Sequence, residues 1–446
     1  MSQRQFQISS SSHSVGFFHC DLRKGDLAFH YDAQWKHRPE AFALSPHLPL
    51  FNDGISSQKI ASYLANLLPE GQMRKIGAIR NKLSSANVLA MVQTCGHEPA
   101  GAFSLLCQDD EPNPSTSISP VFSHLSDDEL AARVTNRSSI PFSLWHGRFY
   151  QSLAGTQDKM QVGMKEGNLY LLDGSLNSTH IIKPEARDPA TPFMVANEHY
   201  CMSLAGAMGL PVAQVHIRRI PDPILVIERF DRVWNSKSDI LQPGNVERVH
   251  AIDGCQAVGA ASWEKYEQCV ENQSFGVGFK RLFKLEPFFV NPEEGRLFII
   301  RWALFSLLIG NNDAHAKNIS FFQTNDGLIP APMYDLTSTQ VYGDAILQNL
   351  AVSYGGAFRF EDVTQTTMIR FSEDANFSSR LMALEMERLA AAAQRHYERL
   401  VDAAIYSQGE LALVSKISDV VRTRIDWMQK TADSLLVRKP ALRGAP

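Results

Sequence analysis

The amino-acid sequence predicts an α+β protein, with a small mixed α/β domain followed by a strand-rich lobe and a helical lobe. Three observations predict this order. Short strand-like patterns dominate residues 148–232, long amphipathic helical patterns dominate the chain after about residue 250, and a Pro- and Ser-rich acidic stretch follows residue 107. A chain of 446 residues is too long for one compact core, so several domains are expected.

The composition is that of a soluble globular protein, with 44% hydrophobic and 20% charged residues. The net charge of -4 gives no reason to expect nucleic acid on the whole surface. The six cysteines contain no CxxC pair, which argues against a zinc site or a disulfide framework and fits a cytoplasmic protein. The N-terminus lacks an apolar signal core, and the longest apolar run, Leu297 to Ile309, contains Arg301. It is shorter than the roughly 20 residues of a membrane span.

The first domain is predicted over residues 1–107, where strand-like pieces alternate with one helical pattern in ISSQKIASYLANLLPEG. Five apolar residues of that pattern share one helical face: Ile60, Tyr63, Leu64, Leu67 and Leu68. The stretch QDDEPNPSTSISP, residues 108–120, is predicted to be a linker because it is rich in Pro, Ser and acidic residues.

The strand-rich lobe is predicted over residues 121–232 and the helical lobe over residues 233–446. Ser126 and Glu129 have the spacing of a capping box at the start of a short helix. Two apolar strands flank Pro221-Asp222-Pro223 and predict a hairpin, and a helix is expected in NEHYCMSLAGAMGL. In the last lobe, which should be mostly helical, the longest patterns cover residues 380–404 and 410–436.

The segment GNNDAHAKN, residues 310–318, follows the apolar helical run directly. A helix end needs only one Gly or Asn, whereas this segment adds a carboxylate, an imidazole and an ammonium group. A strand-rich lobe before a helical lobe resembles the protein-kinase architecture, whose catalytic loop places an Asp and an Asn five residues apart. Asp313 and Asn318 have this spacing, although Asp and Asn are also common turn and cap residues.

A second carboxylate is predicted to join them. Asp335 follows the strand-like ISFF and the turn TNDG, so a β-hairpin would bring it beside Asn318. In the strand-rich lobe, Lys183 lies on the apolar strand HIIKPE, either as an edge lysine with its ammonium group in solvent or as a ligand of nucleotide phosphates. Glu198 in the next helix either pairs with Lys183 or favours the helix dipole as a first-turn acid.

The segment SLAGTQDK, residues 152–159, is a candidate phosphate-covering loop. It contains one Gly, Gly155, and is no GxGxxG motif, so it is equally compatible with a simple turn. The hydroxyl groups of Ser152 and Thr156 and the ammonium group of Lys159 are suited to phosphate contact.

These motifs, together with ERFDR and PMYDLTS, resemble the HipA family of serine/threonine kinase toxins over nearly the whole chain. The resemblance implies a kinase-like two-lobed fold with a small N-terminal subdomain. It assigns Asp313 as the catalytic carboxylate, Asn318 and Asp335 as Mg²⁺ ligands, and Lys183 as a phosphate ligand. Further ATP contacts are implied for one group of residues: Ser152, Ala154, Gly155, Thr156, Gln157, Lys159, His315 and the hinge from Glu228 to Phe230.

The resemblance also implies that Ser152 is autophosphorylated, which would place about two negative charges in a phosphate site and switch the enzyme off. His315 either orients the catalytic loop or is a structural histidine, and Lys317 receives no role. The sequence departs from the wider kinase pattern because no His-Arg precedes Asp313 and no Phe-Gly follows Asp335.

The expected activity is therefore that of an ATP- and Mg²⁺-dependent protein serine/threonine kinase. The family implies a protein substrate such as an aminoacyl-tRNA synthetase, and a HipB-like antitoxin through which the chain would reach DNA. No membrane partner is expected. Three alternatives remain: an inactive kinase-like co-repressor, a small-molecule phosphotransferase, and a metal-dependent hydrolase using Asp313 and His315. The last lacks a His-rich cluster to complete its ligand set.

Overall fold

The structure is a computed structural model of the chain. It describes residues 3–10, 13–21, 25–51, 54–80, 84, 87–94, 98, 101–107, 119–150, 157–235, 237–270 and 273–436. The predicted linker therefore lies almost entirely outside the described residues, as do residues 151–156 of the candidate phosphate loop.

The N-terminal region, residues 3–107, packs helices against an antiparallel sheet of order β3-β2-β1-β4. Its elements are β1 (Gln3–Ser10), β2 (His13–Asp21), β3 (Leu27–Tyr31), α1 (Ala33–Lys36), α2 (Ser57–Asn66), α3 (Gly71–Arg80), α4 (Val88–Thr94) and β4 (Phe103–Cys107). Helix α2 begins where the Ser56 side chain accepts a hydrogen bond from the amide of Lys59. The apolar face predicted for this helix is confirmed, since all five of its residues are buried.

The strand-rich region is built on a six-stranded sheet of order β11-β12-β10-β8-β9-β5. Its elements are β5 (Val121–Leu125), α5 (Asp127–Asn136), β6 (Leu144–Trp145), β7 (Arg148–Phe149), β8 (Met160–Lys165), β9 (Asn168–Asp173), β10 (His180–Pro184), α6 (Met194–Ala207), β11 (Val215–Arg219), β12 (Pro223–Glu228) and β13 (Arg232–Trp234). The hairpin around Pro221-Asp222-Pro223 is confirmed, because β11 and β12 pair antiparallel. The Ser126–Glu129 capping box is present at the start of α5.

The C-terminal region combines helices with short strands. Its elements are β14 (Val246–Arg248), β15 (Ala251–Asp253), α7 (Gly254–Ala257), β16 (Gln268–Val270), β17 (Gln273–Phe275), α8 (Phe279–Phe283), α9 (Pro292–Leu308), β18 (Ser320–Gln323), β19 (Leu328–Pro330), α10 (Gln365–Asp374), α11 (Ser379–His396) and α12 (Gln408–Leu436). The expectation of a mostly helical region missed strand β15, which pairs with the predicted β18–β19 hairpin in the sheet β15-β18-β19. Strand β15 has only three residues and gives little periodic pattern.

Two predicted helices differ in extent from the observed ones. The helix expected over residues 380–404 ends at His396, and the side chain of Asp402 then accepts a hydrogen bond from the amide of Ala404 in a turn before α12. Helix α6 begins at Met194, three residues before the predicted start. Glu198 is therefore beyond the first turn and is 1% exposed, which removes the interpretation as a solvated first-turn acid.

The N-terminal region is joined to the C-terminal region by buried polar contacts as well as by a shared hydrophobic core. The Asn66 side-chain amide donates to the carbonyl of Ala260 at 2.9 Å. The His250 ring packs against both Phe42 and Phe103, and its Nε2 lies 2.9 Å from the carbonyl of Leu44. In the part of the chain described, no helix has the length and apolar character to cross a membrane.

Candidate active site

A cavity of about 800 Å³ lies where the three regions meet. Its walls include Lys183 on β10, Asp313 and Asn318 after α9, Asp335 after β19, and Glu70 from the N-terminal region. A cleft of this volume is within the usual range for a small-molecule site, and its lining is rich in charged side chains. The residues that the sequence singled out for phosphoryl transfer are therefore brought together in one place.

The polar segment after α9 forms a tight loop, and the residues that precede Asp313 in it make hydrogen bonds within the protein. Gly310 reverses the chain with φ +67°. The Asn311 side-chain oxygen then accepts a hydrogen bond from the amide of Asp313 at 2.9 Å. The amide of Asn312 donates to Thr339 Oγ1 at 2.7 Å. The Asn residues thus satisfy the backbone of the loop and hold Asp313 at the cavity.

Asp313 faces the cavity at its open side. One carboxylate oxygen, Oδ1, accepts a hydrogen bond from the hydroxyl of Tyr266 at 2.9 Å. Burial in the recess raises the pKa of Asp313 to about 6, and the nearby carboxylate of Asp335 raises it further, whereas the Tyr266 hydroxyl and Lys265 oppose the shift. With this pKa the Asp313 carboxyl remains mostly ionised at neutral pH, and its pKa is close enough to neutral pH for it to accept a proton during a reaction.

Lys183 pairs with two carboxylates, that of Glu198 in its own strand-rich region and that of Asp335 in the C-terminal region. Its Nζ lies 2.7 Å from Glu198 Oε1 and 2.6 Å from Asp335 Oδ1. The predicted pairing of Lys183 with Glu198 is confirmed, and the edge-lysine interpretation is wrong because Lys183 is 5% exposed. Burial would lower the pKa of Lys183, but the two carboxylates raise it above its ordinary value, so the ammonium group stays charged.

Asp335 is positioned by the β18–β19 hairpin, as predicted from ISFF and TNDG. It has φ +55°, a left-handed conformation that is uncommon outside glycine and is often found at functional sites. Burial would raise the pKa of its carboxyl, but the ammonium groups of Lys183 and Lys159 hold the pKa well below the usual range. Asp335 is therefore a permanent anion at this edge of the cavity.

Asn318 and Asp335 fit Mg²⁺ by the chemistry of their oxygens. The Asn318 side-chain Nδ2 donates to the carbonyl of Asp313 at 3.1 Å, which orients the amide and leaves its oxygen as an acceptor. Among the described residues no group of three or more His, Cys, Asp and Glu side chains could hold a metal ion. Mg²⁺ in kinases is held by one or two protein oxygens together with substrate phosphates, and the oxygens of Asn318 and Asp335 are of this kind.

His315 and Lys317 have different environments within the same loop. His315 is 6% exposed, and burial lowers the pKa of its ring to about 3, so the ring is neutral. Its Nδ1 is buried without a hydrogen-bond partner in the described part of the chain. Lys317 Nζ lies 2.5 Å from Asp253 Oδ2 and 2.9 Å from Asn66 Oδ1. Lys317 therefore anchors the loop to the N-terminal region.

The predicted hinge lies at the end of β12, and Glu228 and Phe230 both line the cavity. The amide of Glu228 donates to the carbonyl of Gln214, and the amide of Arg229 donates to that of Thr179, each at 2.9 Å. Within the described ranges the amide of Phe230 has no such partner, which makes it the hinge donor that remains for a ligand. The Phe230 ring packs on Tyr334 with centroids 5.6 Å apart.

The candidate phosphate loop is described only in part. Ser152, Ala154, Gly155 and Thr156 lie outside the described residues. Gln157 and Lys159 line the cavity. Burial and the neighbouring charge of Lys183 lower the pKa of Lys159 to about 8.

The cavity residues that the sequence interpretation missed include Glu70, Lys265 and Tyr266. The Lys265 ammonium group lies 2.6 Å from Glu70 Oε2, across 195 positions of the sequence. No spacing rule connects residues so far apart. The available clue was the segment from Trp263 to Glu267, which combines two aromatic side chains with three charged ones.

Comparison with known proteins identifies the family. The model of the HipA N-terminal domain matches residues 6–106, and that of the HipA-like C-terminal domain matches residues 151–404, more than half of the chain. The chain belongs to the HipA family. The serine/threonine-protein kinase toxin HipA of Shewanella oneidensis is 32% identical over 383 residues, which are 84% of each chain. The protein is accordingly a HipA-family serine/threonine kinase toxin.

Two further relatives extend the HipA similarity to nearly the full length. The putative kinase Y4mE of Sinorhizobium fredii is 29% identical over 428 residues, covering 95% of this chain and 98% of that protein. A solved complex of Shewanella oneidensis HipA with HipB and its operator DNA contains a chain that superposes with a TM-score of 0.84 at 27% identity. The superposition covers 97% of this chain and all of that chain. The predicted kinase-like HipA fold is therefore confirmed.

Proposed function

We propose that this HipA-family kinase uses ATP and Mg²⁺ to phosphorylate a serine of a partner protein, with Asp313 as the catalytic carboxylate. The observation that carries the proposal is the convergence of Lys183, Asp313, Asn318 and Asp335 on one cavity, although they come from different elements. The proposal includes the predicted division of the chain into an N-terminal subdomain (residues 1–107), a linker (108–120), a strand-rich nucleotide-binding lobe (121–232) and a helical catalytic lobe (233–446).

In this mechanism the chain provides positioning and charge. The Asp313 carboxylate accepts a hydrogen bond from the serine hydroxyl and orients its oxygen toward the γ-phosphorus. A bond forms between the serine oxygen and the γ-phosphorus as the bond to the β–γ bridging oxygen breaks. The electron pair of the broken bond remains on ADP, and the serine proton passes to Asp313 and then to solvent.

Lys183 would bind the α- and β-phosphates, with Glu198 and Asp335 fixing its ammonium group. Gln157 and Lys159 extend the positive wall toward the phosphates. The amide of Phe230 would donate to the adenine at the hinge. Asn318 and Asp335 would hold Mg²⁺, which when bound neutralises charge on the phosphates.

Three finer roles are also proposed. Ser152 is proposed as the autophosphorylation site, because it stands just ahead of Ala154-Gly155 in a loop motif that resembles the family's. The substrate is a translation component such as an aminoacyl-tRNA synthetase. A HipB-like antitoxin binds the chain and connects it to DNA, a partnership supported by the similarity to the HipA chain of the HipA, HipB and operator DNA complex.

The test compares wild type with Asp313→Asn, using labelled ATP, Mg²⁺ and a cell lysate, and identifies labelled serines by mass spectrometry. Asp419→Asn is the matched control, since Asp419 is exposed on α12 and pairs with Arg422. Asp313→Asn should lower transfer by at least about 10²-fold with unchanged thermal unfolding. Unaltered labelling by this variant would refute the role of Asp313. ATP binding without transfer by the wild type would favour the co-repressor alternative.

A further inference from the structure

Tyr266 is the described side chain that donates a hydrogen bond to the Asp313 carboxylate, at 2.9 Å between its hydroxyl and Oδ1. It lies 47 residues before Asp313, outside the segment that resembles a kinase catalytic loop. Its side chain is one of those lining the cavity. Tyr266 is also 38% exposed, so it stands at the open side of the cleft.

The backbone on both sides of Tyr266 is fixed to the catalytic region. The carbonyl of Lys265 accepts a hydrogen bond from the amide of Ala316, within the catalytic loop, at 3.2 Å. The amide of Glu267 donates to the carbonyl of Ala351 at 2.9 Å. The Glu267 carboxylate in turn accepts from the amide of Ser353 at 2.8 Å. These contacts fix the position of the Tyr266 Cα relative to Asp313.

The β16–β17 hairpin holds the same segment by close backbone packing. At Gly276, with φ +79°, a Cβ atom would lie 2.0 Å from the carbonyl oxygen of Tyr266. At Gly278 a Cβ atom would lie 2.6 Å from the carboxyl carbon of Glu267. Gly276 requires glycine for this approach, because its φ is positive and the contacted atom belongs to the backbone, whereas the Glu267 side chain could move away from a Cβ atom at position 278. The packing at Gly276 therefore fixes the backbone at the tyrosine.

The Tyr266 ring is held as well as its backbone. It packs edge-on against the His315 ring with centroids 5.1 Å apart. The ammonium group of Lys265 lies 5.2 Å from the centre of the Tyr266 ring, and Glu70 holds that ammonium group in place. Because the backbone and the ring are both restrained, the Tyr266 hydroxyl can donate a hydrogen bond to one oxygen of Asp313 with little further loss of conformational entropy.

We propose that Tyr266 is a positioning residue that fixes the Asp313 carboxylate for the acceptor hydroxyl, an inference that rests on the proposed kinase function. With Oδ1 bound to Tyr266, Oδ2 is the oxygen left to accept the hydrogen bond of the serine hydroxyl. The serine oxygen then forms its bond to the γ-phosphorus, and the electron pair of the broken β–γ bridge leaves on ADP. Tyr266 loses no proton in this step.

The test is Tyr266→Phe, which removes one oxygen and keeps the ring. Transfer under saturating ATP and acceptor should fall on the order of 10²-fold, because the carboxylate is no longer held in one orientation. The KM values for ATP and for the acceptor should each change less than about twofold. The thermal midpoint should shift by less than about 2 °C. Tyr397→Phe is the matched control: it removes a tyrosine hydroxyl that donates to Glu398 at 2.7 Å, and transfer should be unchanged.

A double-mutant cycle separates positioning from direct contact with the acceptor. In an Asp313→Asn background, Tyr266→Phe should cause no further loss in single-turnover transfer, because its effect passes through the carboxylate. An equal loss in both backgrounds, or a rise in acceptor KM with unchanged kcat, overturns the positioning role. If the wild type transfers no phosphate, the proposed function fails. If the wild type is active and Tyr266→Phe equals it, only the inference about Tyr266 fails.

Discussion

Two buried lysines, Lys183 and Lys317, line the same cavity and make contrasting ion pairs. Lys183 pairs with Glu198, which is 1% exposed, and with Asp335, whose side chain is 34% exposed to the cavity. Lys317 pairs with Asp253, whose side chain is 11% exposed, and bonds to Asn66 of the N-terminal region. The first arrangement leaves an anion facing a ligand, and the second completes a contact between two parts of the fold.

The comparison shows that burial and pairing alone do not distinguish a functional lysine from a structural one. Both ammonium groups have raised pKa values because their carboxylate partners outweigh burial. The difference lies in the surroundings of the partner carboxylate. An exposed carboxylate at a cleft can bind a cation, whereas an enclosed one can only be satisfied by the chain itself.

The largest effect on stability is expected at the structural lysine. Lys317→Met leaves the Asp253 carboxylate buried beside an apolar side chain and removes the bond to Asn66. Loss of one partner of a buried pair typically lowers the free energy of unfolding by about 3 to 5 kcal/mol. Urea unfolding should show this decrease, and Lys416→Met, at an exposed position of α12, should change it by less than about 0.5 kcal/mol. A variant as stable as wild type would contradict the structural assignment of Lys317.

Lys183→Met should instead reduce activity more than stability. Removal of one charged group that stabilises the transferring phosphate typically lowers kcat by about 10² to 10³-fold. The effect on unfolding should be smaller than for Lys317→Met, because Asp335 is partly accessible and can be hydrated, and because burial raises the pKa of Glu198, so that this carboxyl can take up a proton when its partner is removed. Measured nucleotide affinity, transfer rate and urea unfolding on the same two variants would sharpen the contrast. Equal loss of stability in both would show that Lys183 is also chiefly structural.

A smaller, pH-dependent effect is expected where His250 joins the N-terminal region to the catalytic region. Burial lowers the pKa of its ring to about 4, below the ordinary unfolded value of about 6.5. The folded protein therefore binds fewer protons between these values. Its stability from this group is complete above about pH 6.5 and is lost as the pH falls toward 4, by roughly 2 to 3 kcal/mol.

His250→Gln provides the measurement, because the amide does not titrate in this range. Unfolding free energies at pH 7 and pH 4.5 should differ more for wild type than for the variant, since the other buried histidines are common to both. Parallel pH profiles for the two proteins would show that the pKa of His250 is the same in the folded and unfolded states, which would contradict the lowering by burial.

The sequence was informative where function follows short-range spacing. Asp313 and Asn318 lie in one loop, Asp335 follows its hairpin, and Glu198 lies one helix after Lys183, so local patterns were sufficient to predict their association. The partners of Tyr266 and Lys265 could not be predicted in this way. Tyr266 meets Asp313 across 47 residues and Lys265 meets Glu70 across 195, and only the packed fold brings such residues into contact.

The bond between Asn66 and Lys317 has a consequence for dissecting this protein. A fragment trimmed to the two lobes would keep the pair of Lys317 with Asp253, but it would lose the Asn66 oxygens that accept hydrogen bonds from Lys317 and the cavity wall that Glu70 contributes. The N-terminal region is thus part of the structure of the active-site cleft. Deletion of these residues should therefore impair formation of the cleft in the isolated chain, independently of any binding partner.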